Sequence, residues 1–206
     1  IYLARTLNAE DYGLVGMLAI FSGIASTIIN SGFSVALTNK LDATHKDYNA
    51  VFWFSFVVSI CLYIVLFFSA PLIASFYDRQ ELVNLSRVIF ASFLFSGMAI
   101  VPHVILFKQL QVKMQAKIDV FALFLSGMCG VLLAFNGFAY WALAIQSTVY
   151  VASASLLKWM VVSWRPSLDF SIEPLKEMFP FSVKLFLTNI FQQVNNNVFS
   201  VLLGKL

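Results

Sequence analysis

Of the 206 residues, 60% are hydrophobic and only 11% charged, with a mean hydropathy of +0.85, whereas about a quarter of the residues in a soluble domain are charged. This composition excludes a water-soluble globular class, and the chain is counted in membrane spans of about 20 apolar residues each. The net charge of +3 is small, so no nucleic-acid partner is expected, and where the positive charges lie matters more than their number.

The chain opens on IYLARTL, apolar residues running straight into Arg5, with no initiator Met and no basic region of a signal peptide. This reads as the tail of a preceding span, and the chain as a fragment cut at both ends. Six apolar segments follow: Tyr12 to Leu37, Val51 to Phe76, Leu82 to Phe107, Ile118 to Phe135, Phe138 to Val162 and Phe179 to Gly204. The fold class expected is therefore all-α, a polytopic membrane helical bundle. Short polar connectors separate the spans: TNKLDATHKDYN, YDRQE, KQLQVKMQAK, the Asn136-Gly137 turn, and the longer SWRPSLDFSIEPLKEM with its prolines. None is large enough for a domain outside the membrane.

Alternate connectors differ in charge. One set holds Lys40, Lys46, Lys108, Lys113, Lys117, Lys158, Arg165, Lys176 and Lys184; the other holds Arg5, Arg79 and Arg87. Cytoplasmic loops retain the excess of Lys and Arg, which puts the first set in the cytoplasm. KQLQVKMQAK also admits a second reading, as a polybasic patch for anionic lipid.

Two spans carry polar faces. In the first, Ser22, Ser26, Asn30 and Ser34 recur every four positions, flanked by Gly23, Thr27 and Ser31. Close helix packing accounts for the small residues, but Asn30 is harder to explain by packing alone. In the last, Ser182, Asn189, Gln192, Gln193, Asn196, Asn197 and Ser200 fall on one broad helical face, with Leu187, Ile190, Phe191, Val194, Val198, Val201 and Leu202 opposite. The run Asn195-Asn196-Asn197 need not be a loop: two of the three continue the stripe, and Asn195 lies off its edge. Amides are costly against acyl chains, so the stripe faces protein or water. Bonding between helices is one explanation, at about 1 kcal/mol per contact; a water-filled cavity is the other, and the length of the stripe favours it.

Residues for chemistry are sparse. The spans hold no paired carboxylates: Asp119 stands at a helix start, and Asp78 and Glu81 flank a short turn. His45 and His103 do not make a metal-ligand spacing, and Cys61 and Cys129 lie mid-span far from any CxxC pattern. There is no Gly-rich phosphate loop. No catalytic residue, metal or cofactor is expected, and the chain is not expected to be an enzyme.

ARTLNAEDYGL resembles the AR-x-L-x-x-x-x-(Y/F)-G signature joining the first two helices of polysaccharide-export flippases. Later landmarks keep the family's order: APLIASFY, the LF-K...Q block, G-x-x-YWAL, WRPSLDFS, and NNNVFSVLLGK, which is similar to the family's Asn-rich seventh helix. The chain is thus identified as a member of the oligosaccharide flippases of the multidrug/oligosaccharidyl-lipid/polysaccharide exporter superfamily, along essentially its whole length. That resemblance implies about twelve to fourteen helices in two six-helix bundles around a central cavity, working by alternating access. Residues 1–178 would be the end of helix one through helix six and the cytoplasmic linker, and residues 179–206 the seventh helix, which lines the cavity and opens the second bundle.

The resemblance also implies the substrate, an undecaprenyl-diphosphate-linked oligosaccharide flipped from the cytoplasmic to the outer leaflet of the bacterial inner membrane for lipopolysaccharide, capsule or exopolysaccharide synthesis. Membrane lipids and polysaccharide-biosynthesis enzymes are the other expected partners. Sugar hydroxyls call for amides, here Asn30, Asn189, Gln192, Gln193, Asn196 and Asn197; a diphosphate calls for cations, for which Arg5, Arg87 and Lys184 are the candidates. For Arg5, snorkelling to headgroups is an equal explanation. Three alternatives stay open: a multidrug cation antiporter of the same fold, which relies on embedded carboxylates not visible here; a membrane glycosyltransferase, polymerase or ligase, which needs a larger outer loop; and a ligand-free structural membrane subunit.

Overall fold

The computed structural model describes residues 8–30 and 32–205; the side chains of Ala9, Ile190 and 193–205 lie outside the description. The described residues form helices and connectors only: α1 (Ala9–Met17), α2 (Ala19–Asn30), α3 (Phe33–Asn39), α4 (His45–Phe76), α5 (Leu82–Lys108), α6 (Val112–Phe135), α7 (Ala139–Val161) and α8 (Glu173–Lys205). The chain is a helical membrane bundle.

Capping chemistry sets where two helices begin. Asp47 Oδ2 accepts from both the backbone N–H and the hydroxyl of Thr44, each at 2.7 Å, closing a capping box that starts α4 six residues before its apolar run. Asp11 does the same for the Asn8 N–H at 3.0 Å, at the start of α1. Between α6 and α7, Gly137 takes a left-handed φ of 78°, which a glycine adopts without the Cβ clash.

Among the described residues, four helical stretches are long and apolar enough to cross a membrane: Glu10–Asn30, His45–Phe76, Leu82–Lys108 and Val112–Phe135. Six were expected. The helices are present at the other two segments, 23 residues in α7 and 33 in α8, but their polar content keeps them out of that group. In α7 the polar groups are used inside the bundle. Thr148 Oγ1, Ser155 Oγ and Trp159 Nε1 donate to the carbonyls of Val88, Phe95 and Met98 on α5, at 3.2, 3.0 and 3.0 Å. Spacings of seven and four place all three on one helical face.

α5 is the centre of the bundle. In its most apolar window 56% of the residues are buried, against 22% in the corresponding windows of α4 and α6, whose remaining faces are left for lipid. Glycines bring the neighbours close: Gly97 of α5 lies where a Cβ would meet Ser59 of α4, and Gly130 of α6 where it would meet Gln146 of α7.

The segment Tyr12 to Leu37, expected as one span, is broken at Leu18 and again before α3. At the second break Gly32 has φ 75°, and a Cβ there would stand 2.4 Å from the backbone oxygen of Ser182. The close crossing of α8 requires the glycine, and the left-handed turn follows from it.

The expected linker is strapped to the start of α4. Asn49, buried to 1% exposure, donates to the Asp169 carbonyl at 2.6 Å and accepts from the Ser167 N–H at 2.9 Å. Trp53 Nε1 donates to the Ser167 carbonyl at 2.8 Å, and Trp164 Nε1 to His45 Nδ1 at 3.0 Å. Nearby, Lys40 pairs with Asp47 at 2.9 Å and with Glu177 at 2.6 Å. The hydrogen bonds to Glu177 and then Asp47 hold its amine above the usual lysine value. The linker ends in helix sooner than expected, because α8 begins at Glu173 rather than near Phe179.

Candidate functional site: a hydroxyl-lined cleft

A cleft of about 350 Å³ opens between α2, α5 and α7. Ser26 and Asn30 enter it from α2 and Ser34 from α3, so the register of four read in the sequence survives the break at Gly32. α5 contributes Ser96, Ala99, Ile100 and His103; α7 contributes Tyr150, Val151, Ala154, Ser155 and Lys158. Recurrence at three and four residues aims each set along one helical face. Asn30 is exposed, and its Nδ2 donates back to the Ser26 carbonyl at 2.8 Å.

The end of the cleft nearer the Lys-rich connectors is charged. Lys158 Nζ lies 3.7 Å from Asp119 Oδ1 on α6, the two side chains being 14% and 42% exposed. His103 Nδ1 bonds the Gln115 amide of α6. An accepting Nδ1 leaves Nε2 to carry the ring proton and act as a donor. Hydroxyls, an amide, an imidazole and one ammonium thus share a small volume with apolar walls, suited to an oxygen-rich ligand. Among the described residues no group of His, Cys, Asp or Glu has a metal-binding arrangement.

A groove of different character lies at the opposite end, between α2 and α4. Its volume is about 470 Å³, and Ile20, Phe21, Ile24, Leu66, Leu72, Ile73 and Phe76 make it almost wholly apolar.

Of the residues expected to line a cavity, Asn30 is in the cleft. Asn189 is half-buried and Gln192 exposed on α8, neither in the lining of this cleft. α8 runs as continuous helix through Asn195, Asn196 and Asn197, so the backbone there is not a loop; the side chains of Gln193, Asn196 and Asn197 lie outside the description. Arg5 also falls outside the described residues. Arg87 places its guanidinium over the Phe67 ring, 4.3 Å from the centroid, toward the other end of α5. Lys184 is exposed on α8.

Sequence reasoning missed the charged end. Lys158 entered only as a topology charge, Asp119 as a helix start and His103 as a histidine without a metal-ligand spacing. The available signal was that Asp119 and Lys158 are ionisable groups on largely apolar helices, which in a membrane protein marks a place of function.

Comparison with known proteins agrees with this architecture. The family profile described as polysaccharide biosynthesis protein matches residues 2–206. The chain is 28% identical over 183 residues to the teichuronic acid biosynthesis protein TuaB of Bacillus subtilis, covering 88% of this chain and 38% of the relative. It is 19% identical over 215 residues to the lipopolysaccharide biosynthesis protein WzxC of Escherichia coli, covering 99% and 42%. It is 23% identical over 180 residues to the succinoglycan biosynthesis transport protein ExoT of Rhizobium meliloti, covering 87% and 36%. The chain therefore spans less than half the length of these relatives. No solved structure matches it. With a helical membrane bundle and a profile match along almost the whole chain, the protein belongs to the polysaccharide biosynthesis protein family.

Proposed function

We propose that the full-length protein is a transporter that flips lipid-linked oligosaccharide units, carried on undecaprenyl diphosphate, from the cytoplasmic to the outer leaflet of the bacterial inner membrane. The observation that carries this reading is the hydroxyl- and amide-lined cleft inside a bundle that otherwise presents lipid-compatible surface. Sugar hydroxyls lose water on entering hydrocarbon, at a cost of several kcal/mol for each group left unbonded. A path through the membrane must replace those bonds, and Asn30, Ser26, Ser34 and Ser96 offer donors and acceptors for them. The names of the relatives, which concern teichuronic acid biosynthesis, lipopolysaccharide biosynthesis and succinoglycan biosynthesis transport, support a polysaccharide-related substrate. Alternating access would come from motion of this bundle against a second one. The amides of α8, Asn189, Gln192, Gln193, Asn196 and Asn197, are proposed to line the path from that second side, with Arg87 and Lys184 among the cations it passes.

The test replaces Asn30, and separately Asn196 with Asn197, by Leu in the full-length protein. Leucine keeps approximate volume and helix propensity but removes the amides. Normal amounts of protein in the membrane, loss of surface polymer and accumulation of lipid-linked oligosaccharide on the cytoplasmic leaflet are expected. Undiminished polymer in both variants would remove these amides from the path; a drug-sensitive phenotype with unchanged lipid-linked intermediates would put an antiporter in place of the flippase.

A further inference from the structure

We propose that Lys158 is an oxyanion site of the phosphate class in which Asp119 is an exchangeable counter-ion: an incoming phosphate oxygen takes Asp119's place on the ammonium and gives it back on release. The separation of the pair carries the argument. At 3.7 Å it is well beyond the roughly 2.7–2.9 Å of a charge-assisted hydrogen bond, so Asp119 neutralises Lys158 without locking it. Lys40 shows the contrast within the same molecule, held by two carboxylates at 2.9 and 2.6 Å.

Exposure adds a direction. The Lys158 side chain is 14% exposed and that of Asp119 42%. The ammonium is thus the more enclosed of the two groups, and if the pair separates it is the one that requires another anion. The rest of the cleft lining supplies hydrogen-bond donors: the Nε2 side of His103, the Tyr150 phenol and the Ser96 hydroxyl. Among the described residues no carboxylate is part of the cleft lining itself. One cation in a cleft otherwise lined by neutral donors suits an oxyanion with several acceptor oxygens and disfavours a cation. A site that must release its ligand gains from a resident competitor, because exchanging one anion for another changes the buried charge little in either direction.

This inference rests on the transport reading only for the source of the anion. The full-length protein in neutral phosphatidylcholine nanodiscs is titrated with inorganic diphosphate by calorimetry. Wild type should bind; D119N should bind about two- to fivefold more tightly, the range expected for removing a partly exposed competing ion pair. K158Q should lose binding, and K158R should keep most of it. The double variant D119N/K158Q should behave as K158Q alone, an outcome that a merely structural role for Asp119 would not give. Equal or weaker binding by D119N than by wild type, or unchanged binding by K158Q, overturns the proposal. Two competition arms separate the sources: displacement of diphosphate by undecaprenyl diphosphate but not phosphatidylglycerol supports a lipid-carrier ligand, and equal displacement by both supports a general headgroup site. If binding follows the expected pattern while K158Q cells keep full surface polymer, the site stands and the transport reading falls; if polymer is lost with binding unchanged, the reverse holds.

Discussion

Asn49 holds the linker with both ends of one carboxamide, donating to Asp169 and accepting from Ser167. No single residue of the linker, rich in turn formers, would fix its own path; a buried amide in the second turn of α4 does so from outside it. Replacing Asn49 by Ala leaves a backbone carbonyl and an N–H without these partners, at a cost of about 1–3 kcal/mol each if no water reaches them. The linker should loosen before the bundle does. Chymotrypsin cleavage after Phe170 should therefore speed up several-fold in N49A, with far-UV helicity unchanged; equal cleavage of N49A and wild type would show that the strap is held elsewhere. The Asn49 contact could not be read from sequence, because it joins positions about 120 residues apart. Gly32 is a similar case: the residue is visible as a possible helix break, but the need for it comes from Ser182 crossing on α8.

At the scale of elements, the seam between α5 and α7 depends on side chains that look unfavourable for a membrane span. Thr148, Ser155 and Trp159 each bond a carbonyl of α5, and such bonds contribute about 0.6 kcal/mol apiece on average in a membrane. The triple substitution T148V/S155A/W159F should lower stability by about 2 kcal/mol, read as a reduced unfolding midpoint in mixed micelles of increasing SDS. A midpoint within error of wild type would mean that packing alone holds the seam. Apolar runs bounded by charge made most helices legible: α5 lies within one residue of its expected ends, and α4 and α6 begin earlier because their polar first turns are helical too. The every-fourth-residue pattern led directly to Asn30. The pairing of Asp119 with Lys158 was not legible, since it depends on how α6 packs on α7. For α8, the helix through the three asparagines sets a phase that spin labels can report. Nitroxides at Gln193 and Asn196 should be accessible to a water-soluble paramagnetic relaxant, and those at Val194 and Val198 to oxygen dissolved in lipid; no difference between the pairs would mean the stripe packs against other helices.

Over the whole molecule, charge, polarity and packing divide the bundle into two ends. The hydroxyl-lined cleft, with Lys158 and Asp119, lies toward the Lys-rich connectors, whereas the apolar groove of α2 and α4 lies at the other end. A substrate with a polar head would meet the cleft first from the side where the charge asymmetry puts the cytoplasm. The central claim is that this cleft is the wet, ligand-bearing surface of the first bundle. It is tested most directly with single cysteines at Asn30 and Ser96 of the full-length protein, in a background where Cys61 and Cys129 are replaced. A membrane-impermeant thiol reagent added from the cytoplasmic side should label both, a cysteine at the lipid-facing Phe121 should stay unlabelled, and lipid-linked oligosaccharide should slow the labelling of Asn30 and Ser96. Labelling at Asn30 and Ser96 no faster than at Phe121, or labelling untouched by the substrate, would contradict the account.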